Sequence, residues 1–172
     1  MGTGARPNIG GGLFAGARAY AAGTGSRSEQ EMAARQAITA AYNDLNDALM
    51  RRDVADLFAH YAPDYVSVNQ DGRRMNLPRL RERVVSLLRN VESAKAITKI
   101  QKFYVQNDTA FCEIKEGARF LFVHPKTRKT TLMRVRSTSR DRWVRRGGRW
   151  LLAQSRTLQA TTTLDGKPVA AK

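Results

Sequence analysis

Cysteine is almost absent from this chain. The single Cys112 excludes an internal disulfide and any cysteine-clustered zinc site. Histidine is nearly as scarce: His60 and His124 stand 64 positions apart, too far for the short spacing that puts two imidazoles on one helix face. No metal-ligand set and no cofactor motif is legible. No apolar run approaches the roughly 18 residues that a membrane span requires, so no membrane partner is expected. Acid is also in short supply, with 15 Asp and Glu against 30 Lys and Arg and a net charge of +15. What is present is globular in texture, 42% hydrophobic and 26% charged. A chain of 172 residues fits one domain with tails rather than two domains.

The positive charge is concentrated. Residues 28–66 carry a net −4, whereas residues 67–160 hold 22 basic and 7 acidic side chains. Such an asymmetry attracts nucleic acid, anionic lipid or an acidic protein. It is also what a solvated basic face looks like in an arginine-rich composition. No nucleic-acid motif accompanies it, so nucleic acid is not the favoured partner.

Residues 1–27 are rich in Gly and Ala and lack a helical or strand period. They read as a flexible tail or a degraded signal. Gly10-Gly11-Gly12 and Arg18 interrupt the apolar stretch a signal needs, which favours a cytoplasmic protein over a secreted one. Ser28-Glu29-Gln30-Glu31 is a capping box. Downstream, Ala34, Ile38, Tyr42, Leu45 and Leu49 recur at helical spacing. Asp53 caps a short helix carrying Leu57, Phe58 and Tyr61, which Pro63 ends. Tyr65–Val68 reads as a strand and Asp71-Gly72 as a hairpin turn. Asn76 caps a third helix with Pro78 in its first turn, and Leu77, Leu80, Val84 and Leu88 form its apolar stripe. From about residue 96 the period becomes two. Strands near 97–106, 109–123, 129–145 and 149–160 are joined by short connections, which predicts an antiparallel meander. Gly117, inside the second of these, predicts a bulge or bend. The fold class is α+β: three N-terminal helices packed in the concave face of a strongly curved antiparallel sheet. The domain spans 28–160, and 161–172 reads as a C-terminal tail.

Two stretches carry a family resemblance. The first runs from Leu49 through Asp53, Phe58, Tyr61 and Asp64 to Val66; the second runs from Asp141 through Trp143, Gly147 and Gly148 to Trp150. In this order they resemble the helix–strand signature and the closing hairpin of the nuclear transport factor 2-like superfamily, specifically its SnoaL-like, cystatin-like cone domains. The resemblance implies a curled sheet around helices, a pocket for a small organic ligand, and homodimers formed through the outer sheet face. This fold hosts isomerases, dehydratases, cyclases and proteins with no chemistry. In members resembling ketosteroid isomerase, the strand after the second helix carries a carboxylate base. The matching position here is Asn69, which accepts no proton at neutral pH. The helix tyrosine of that pattern falls on Leu45, with Tyr42 one turn earlier. Both departures argue against that isomerase chemistry.

The closing hairpin predicts which residues share a face. A two-residue turn at Gly147-Gly148 sets Trp143 opposite Leu152, Asp141 opposite Gln154 and Ser139 opposite Arg156. Trp143, Asp141, Gln154 and Arg156 then share an apolar face, which we take as the concave one. The opposite face carries a stripe of Arg134, Arg136, Arg140 and Arg142 against Ala153, Ser155, Thr157 and Gln159. Alternation along the preceding strand puts Glu116 inside with Cys112 and Ile114. Asp141 and Glu116 are the candidate acid–base groups, because a carboxyl in an apolar pocket has a raised pKa. A buried ion pair of Asp141 with Arg156 is the competing structural reading. Tyr42, Tyr65, Asn69, Trp143, Gln154 and Arg156 are candidate ligand-binding residues, although the tyrosines also fit an aromatic core. Cys112 reads as a small buried hydrophobe. The arginine stripe fits a polyanion or a subunit interface, but aromatic residues do not interleave with it in sequence as base-stacking surfaces require. Three functions remain in view. One is ligand binding without assigned chemistry, in a homodimer; another is an isomerase, dehydratase or cyclase that uses a pocket carboxylate. The third is binding of a polyanion or an acidic protein partner through the arginine face.

Overall fold

Serine 26 starts the first helix. The computed structural model describes residues 26–124 and 126–169. The tail-or-signal reading of the N-terminus, the turn at Pro125 and the last three residues therefore lie outside the described residues. Helix α1 spans Arg27–Arg51, and its capping box is Ser26 with Glu29: Glu29 N donates to Ser26 Oγ at 3.3 Å, and Ser26 N donates to Glu29 Oε2 at 2.6 Å. The box expected at Ser28 is displaced by one overlapping copy of the same motif, which captures the orphan amides first. Ala34, Ile38, Ala41, Tyr42, Leu45 and Ala48 form its buried face.

Helix α2 (Val54–Leu57) is capped by Asp53, whose carboxylate accepts from Asp56 N at 3.1 Å. It is shorter than expected, because Tyr61 already begins strand β1 (Tyr61–Val68). Pro63 does not end a helix. It sits where the β1 register shifts between Tyr61 and Val66, a place that tolerates a missing amide. A hairpin with Gly72 at φ 82° leads to β2 (Arg74–Asn76). Helix α3 (Leu77–Leu88) follows, its first turn capped by Asn76, whose side chain accepts from Arg79 N at 3.1 Å. Only Leu88 of its stripe is buried. Leu77, Leu80 and Val84 pack against the core half-exposed.

The long strands β3 (Val91–Gln106), β4 (Thr109–Val123), β5 (Thr130–Arg146) and β6 (Arg149–Leu164) form the expected antiparallel meander. The described sheet has seven strands in the order β2-β1-β6-β5-β4-β3, with β7 (Lys167–Val169) on β6. It is mixed rather than antiparallel throughout, because β1 runs parallel to β6. No hairpin joins these two strands, so no turn forces an antiparallel direction. Strand structure also crosses the boundary expected at 160: β6 runs on to Leu164, and Asp165-Gly166, both at positive φ, turn it into β7. Gly117 makes no bulge; it pairs in register with Ile97 and Arg136. The register shifts fall at Val91/Ser93, Ile100/Lys102, Thr138/Ser139 and Arg142/Trp143 instead.

The last of these shifts decides the site. Gly147 (φ 56°) and Gly148 (φ 77°) form the closing turn, as a type I′ hairpin requires. Arg146 pairs with Arg149 and Trp143 with Leu152, as expected. Beyond Leu152 an extra residue, Ala153, enters β6. Asp141 consequently faces Ser155, Arg142 faces Gln154 and Arg140 faces Arg156.

Candidate functional site

Asp141 lies at the centre of the cone. Alternation along β5 turns Ser139, Asp141 and Trp143 inward, and all three are buried. Tyr42 reaches it from the buried face of α1: its hydroxyl donates to Asp141 Oδ2 at 2.6 Å and accepts from Trp143 Nε1 at 2.9 Å. The Tyr42 and Trp143 rings meet edge to face at 5.0 Å. Asp141 Oδ1 is buried with no hydrogen-bond partner. An unsatisfied buried carboxylate oxygen is costly, so the site favours either a proton or a ligand group there.

The electrostatics follow from that geometry. Burial first, then the charge of Glu116, pushes the Asp141 carboxyl up to about 7, against the opposing pull of the nearby Ser155 and Tyr42 side chains. Burial likewise raises Tyr42, Tyr61 and Tyr65 above the usual phenol range, and the charges of Asp141 and of other neighbours add to it. These phenols are neutral donors at any ordinary pH. Glu116 accepts from Ser137 Oγ at 2.9 Å. Surrounding protein raises its carboxyl, yet its side chain is exposed. It lines a hollow of about 390 Å³ together with Lys99, Lys115 and Arg136, and water there moderates the upward push. The charges of both Glu116 and Asp141 reach Tyr61 and Tyr65 and add to the effect of burial on them. Phe58, Tyr61 and Tyr65 make an aromatic ladder, with centroids 5.0 and 4.7 Å apart.

The structure thus brings together Asp141, Tyr42, Trp143 and Tyr65, within reach of the Glu116 charge. It separates Gln154 and Arg156, which the Ala153 bulge turns to the outer face beside Arg142 and Arg140. The expected Asp141–Arg156 ion pair does not form, and Asp141 has no ion pair among the described residues. Asn69 sits in the turn after β1, where its N–H donates to Arg73 O at 2.8 Å and its carbonyl accepts from Gly72 N. Arg134, Arg136 and Arg140 are exposed and Arg142 half-buried. Sequence reasoning missed Tyr61, assigned to a helix, and Ser155, assigned to the outer face. The pair Tyr61 and Tyr65 flanking a proline was a usable strand signal; nothing marked the bulge at Ala153. Cys112 is buried, and desolvation pushes its thiol up to about 12. No cluster of three or more His, Cys, Asp or Glu that would hold a metal is present among the described residues. No described helix is long and apolar enough to cross a membrane.

No protein-family model matches the chain, and no curated protein sequence matches it. Solved structures do. A conserved protein from Planctomyces limnophilus is 14% identical over 80% of this chain and 99% of its own, with a TM-score of 0.65. The type 2 hexachlorocyclohexane dehydrochlorinase LinA is 13% identical, over 84% of this chain and 95% of its own, with a TM-score of 0.60. A scytalone dehydratase-like protein from Novosphingobium aromaticivorans is 12% identical, over 78% of this chain and 90% of its own, also with a TM-score of 0.60. At such identities the likeness is one of fold. The chain has the cone-shaped α+β fold of the nuclear transport factor 2-like superfamily.

Proposed function

We propose that the chain binds a small, largely apolar organic molecule inside the cone and that Asp141 exchanges a proton with it. One arrangement carries this reading: a buried carboxyl with one oxygen held by Tyr42 and the other without a hydrogen bond, in surroundings that push it up to about 7. An acid–base group poised near ambient pH serves as donor and acceptor in turn. Tyr42, held by Trp143, fixes the carboxyl's orientation, and Tyr61 and Tyr65 supply neutral hydroxyls. The half-buried Leu80, Val84 and Ile100 pack against the same apolar core. The names of two fold neighbours, a dehydrochlorinase and a dehydratase-like protein, both describe eliminations, in which a proton is moved. The reaction class for this chain is accordingly elimination, dehydration or isomerisation of a small organic molecule.

A second reading, ligand binding without chemistry, draws support from Trp143. It is fully buried and fills the centre of the cone, which limits the room beside Asp141. Titration with 2-naphthol, a neutral aromatic probe, followed by amide NMR separates the two. Proton exchange predicts shift changes at Tyr61, Tyr65 and Ser155, and an affinity that changes with pH around 7 and loses that dependence in Asp141→Asn. Binding at the same residues with no pH dependence favours the second reading. Changes confined to the outer sheet face contradict both.

A further inference from the structure

The sheet face turned away from the helices carries an arrangement that the cone site does not use. We infer that this face binds single-stranded nucleic acid without sequence preference. Residues paired across strands share a face, and the pairing places like charges directly opposite one another. Lys95, Arg119 and Arg134 form one row across β3, β4 and β5. Lys99 faces Lys115, and Arg140 faces Arg156. Like charges directly opposite destabilise a sheet, so this face is built against its own stability. Glu113 relieves part of it, shared between Lys102 at 3.1 Å and Arg140 at 3.5 Å. Lys99, Lys115, Arg119, Arg134, Arg136 and Arg156 make no ion pair among the described residues.

Such a surface calls for an anionic partner, and its other features choose among them. A second copy of the chain would bring the same charge to the contact, which disfavours pairing through this face. The next row contains Tyr104, Phe111 and Arg142. Tyr104 and Phe111 are 49% and 45% exposed and stack on each other with centroids 6.3 Å apart. Sequence order had hidden this aromatic step, because its two rings come from different strands. Exposed rings beside cations on a sheet are what unpaired bases stack upon; a duplex conceals its base faces, and an acidic peptide offers none. Hollows of about 410, 390 and 550 Å³ follow these rows, the first two meeting at Ile97 and Gly117 and the third lined by Tyr104, Phe111 and Arg142. From Arg134 to Arg142 the strand runs about 26 Å, at about 3.3 Å per residue. That length accommodates about five phosphates, within the range of single-strand sites. Stacking accepts any base, because every base has a π-face, and the charged rows track phosphates, so the binding is general.

Fluorescence anisotropy with a labelled twelve-nucleotide oligouridylate tests this on the unaltered protein. Each neutralised phosphate contributes about 0.7 to the log–log salt slope for single strands, so affinity should fall about 100-fold between about 50 and about 200 mM salt. An oligomer of mixed sequence should bind within about threefold of it. Replacing Arg134, Arg136, Lys99 and Lys115 with glutamine should flatten the slope. Replacing Tyr104 and Phe111 with alanine should weaken binding about tenfold, by lost stacking, and leave the slope unchanged. Asp141→Asn should alter none of this, which keeps the outcome separate from that of the cone site. No binding at the lower salt, or a slope shallower than one phosphate's worth, overturns the inference. So does equally tight binding of polyglutamate or phosphatidylserine vesicles, or a dimer that the four glutamine substitutions dissociate.

Discussion

Asp141 should make the stability of this protein fall as pH rises through neutrality. Its pKa is 3.8 in an exposed setting and about 7 in the folded chain. Between those values the native state binds a proton that the unfolded state has released, so unfolding free energy decreases with rising pH. The stabilising contribution is complete below about pH 4 and is lost as pH climbs through about 7. At about 1.4 kcal/mol per pKa unit the full effect is about 4 kcal/mol. Between about pH 5 and about pH 8.5, about 3 kcal/mol of it is expressed. That window avoids Asp64, Asp71 and Glu113, whose carboxyls are held low by Arg146, Arg73 and Lys102 respectively and lose their contribution only in acid. Urea denaturation at both pH values measures the loss, and Asp141→Asn, which cannot ionise, isolates it. The unaltered protein should lose about 3 kcal/mol more than the variant over this interval, equivalent to about 6–12 °C in Tm for a domain of this size. Parallel losses in the two proteins would mean that the carboxyl titrates alike in the folded and unfolded states, contrary to a raised folded-state value.

Two further outcomes follow from the same geometry. Tyr42→Phe leaves Asp141 Oδ2 and Trp143 Nε1 without the hydroxyl that joins them, at about 1–3 kcal/mol for each unsatisfied buried group. Because that hydroxyl favours the charged carboxylate, the loss by denaturation should be larger at pH 8.5 than at pH 5, and equal losses would contradict the assignment. Cys112, buried and with its thiol raised to about 12, should resist a thiol-specific disulfide reagent in the native protein and react fully in denaturant. Rapid native labelling would mean that the cone opens far more readily than its packing implies.

Much of the cone was legible because period and punctuation agree. Ala34 to Ala48 keep a helical spacing, the Gly147-Gly148 turn admits one hairpin type, and alternation through Cys112, Ile114 and Trp143 identifies the inner face. These features rest on local rules, and tertiary packing does not override them. The parallel pairing of β1 with β6 was not legible, since it joins segments far apart in sequence without a turn to orient them. Nor was the bulge at Ala153, an alanine with no preferred backbone signature. One inserted residue exchanged Gln154 and Arg156 for Ser155, and so replaced an expected salt bridge by an unpaired carboxyl. A register step inverts the side chains beyond it, here as far as the second shift at Thr138/Ser139, so the site rests on the least readable feature of the sheet. Tyr42 could be read as a buried helix residue, but its bond to Asp141 could not, because the two are brought together only by the docking of α1 against the sheet.

The most direct test of Asp141 as a neutral-pH proton donor and acceptor is its own titration, followed by carboxyl ¹³C NMR with Asp141→Asn to assign the resonance. The expected midpoint for Asp141 lies near 7. A midpoint near about 4, the ordinary value for an aspartate, would contradict it and leave the cone without an acid–base group at neutral pH.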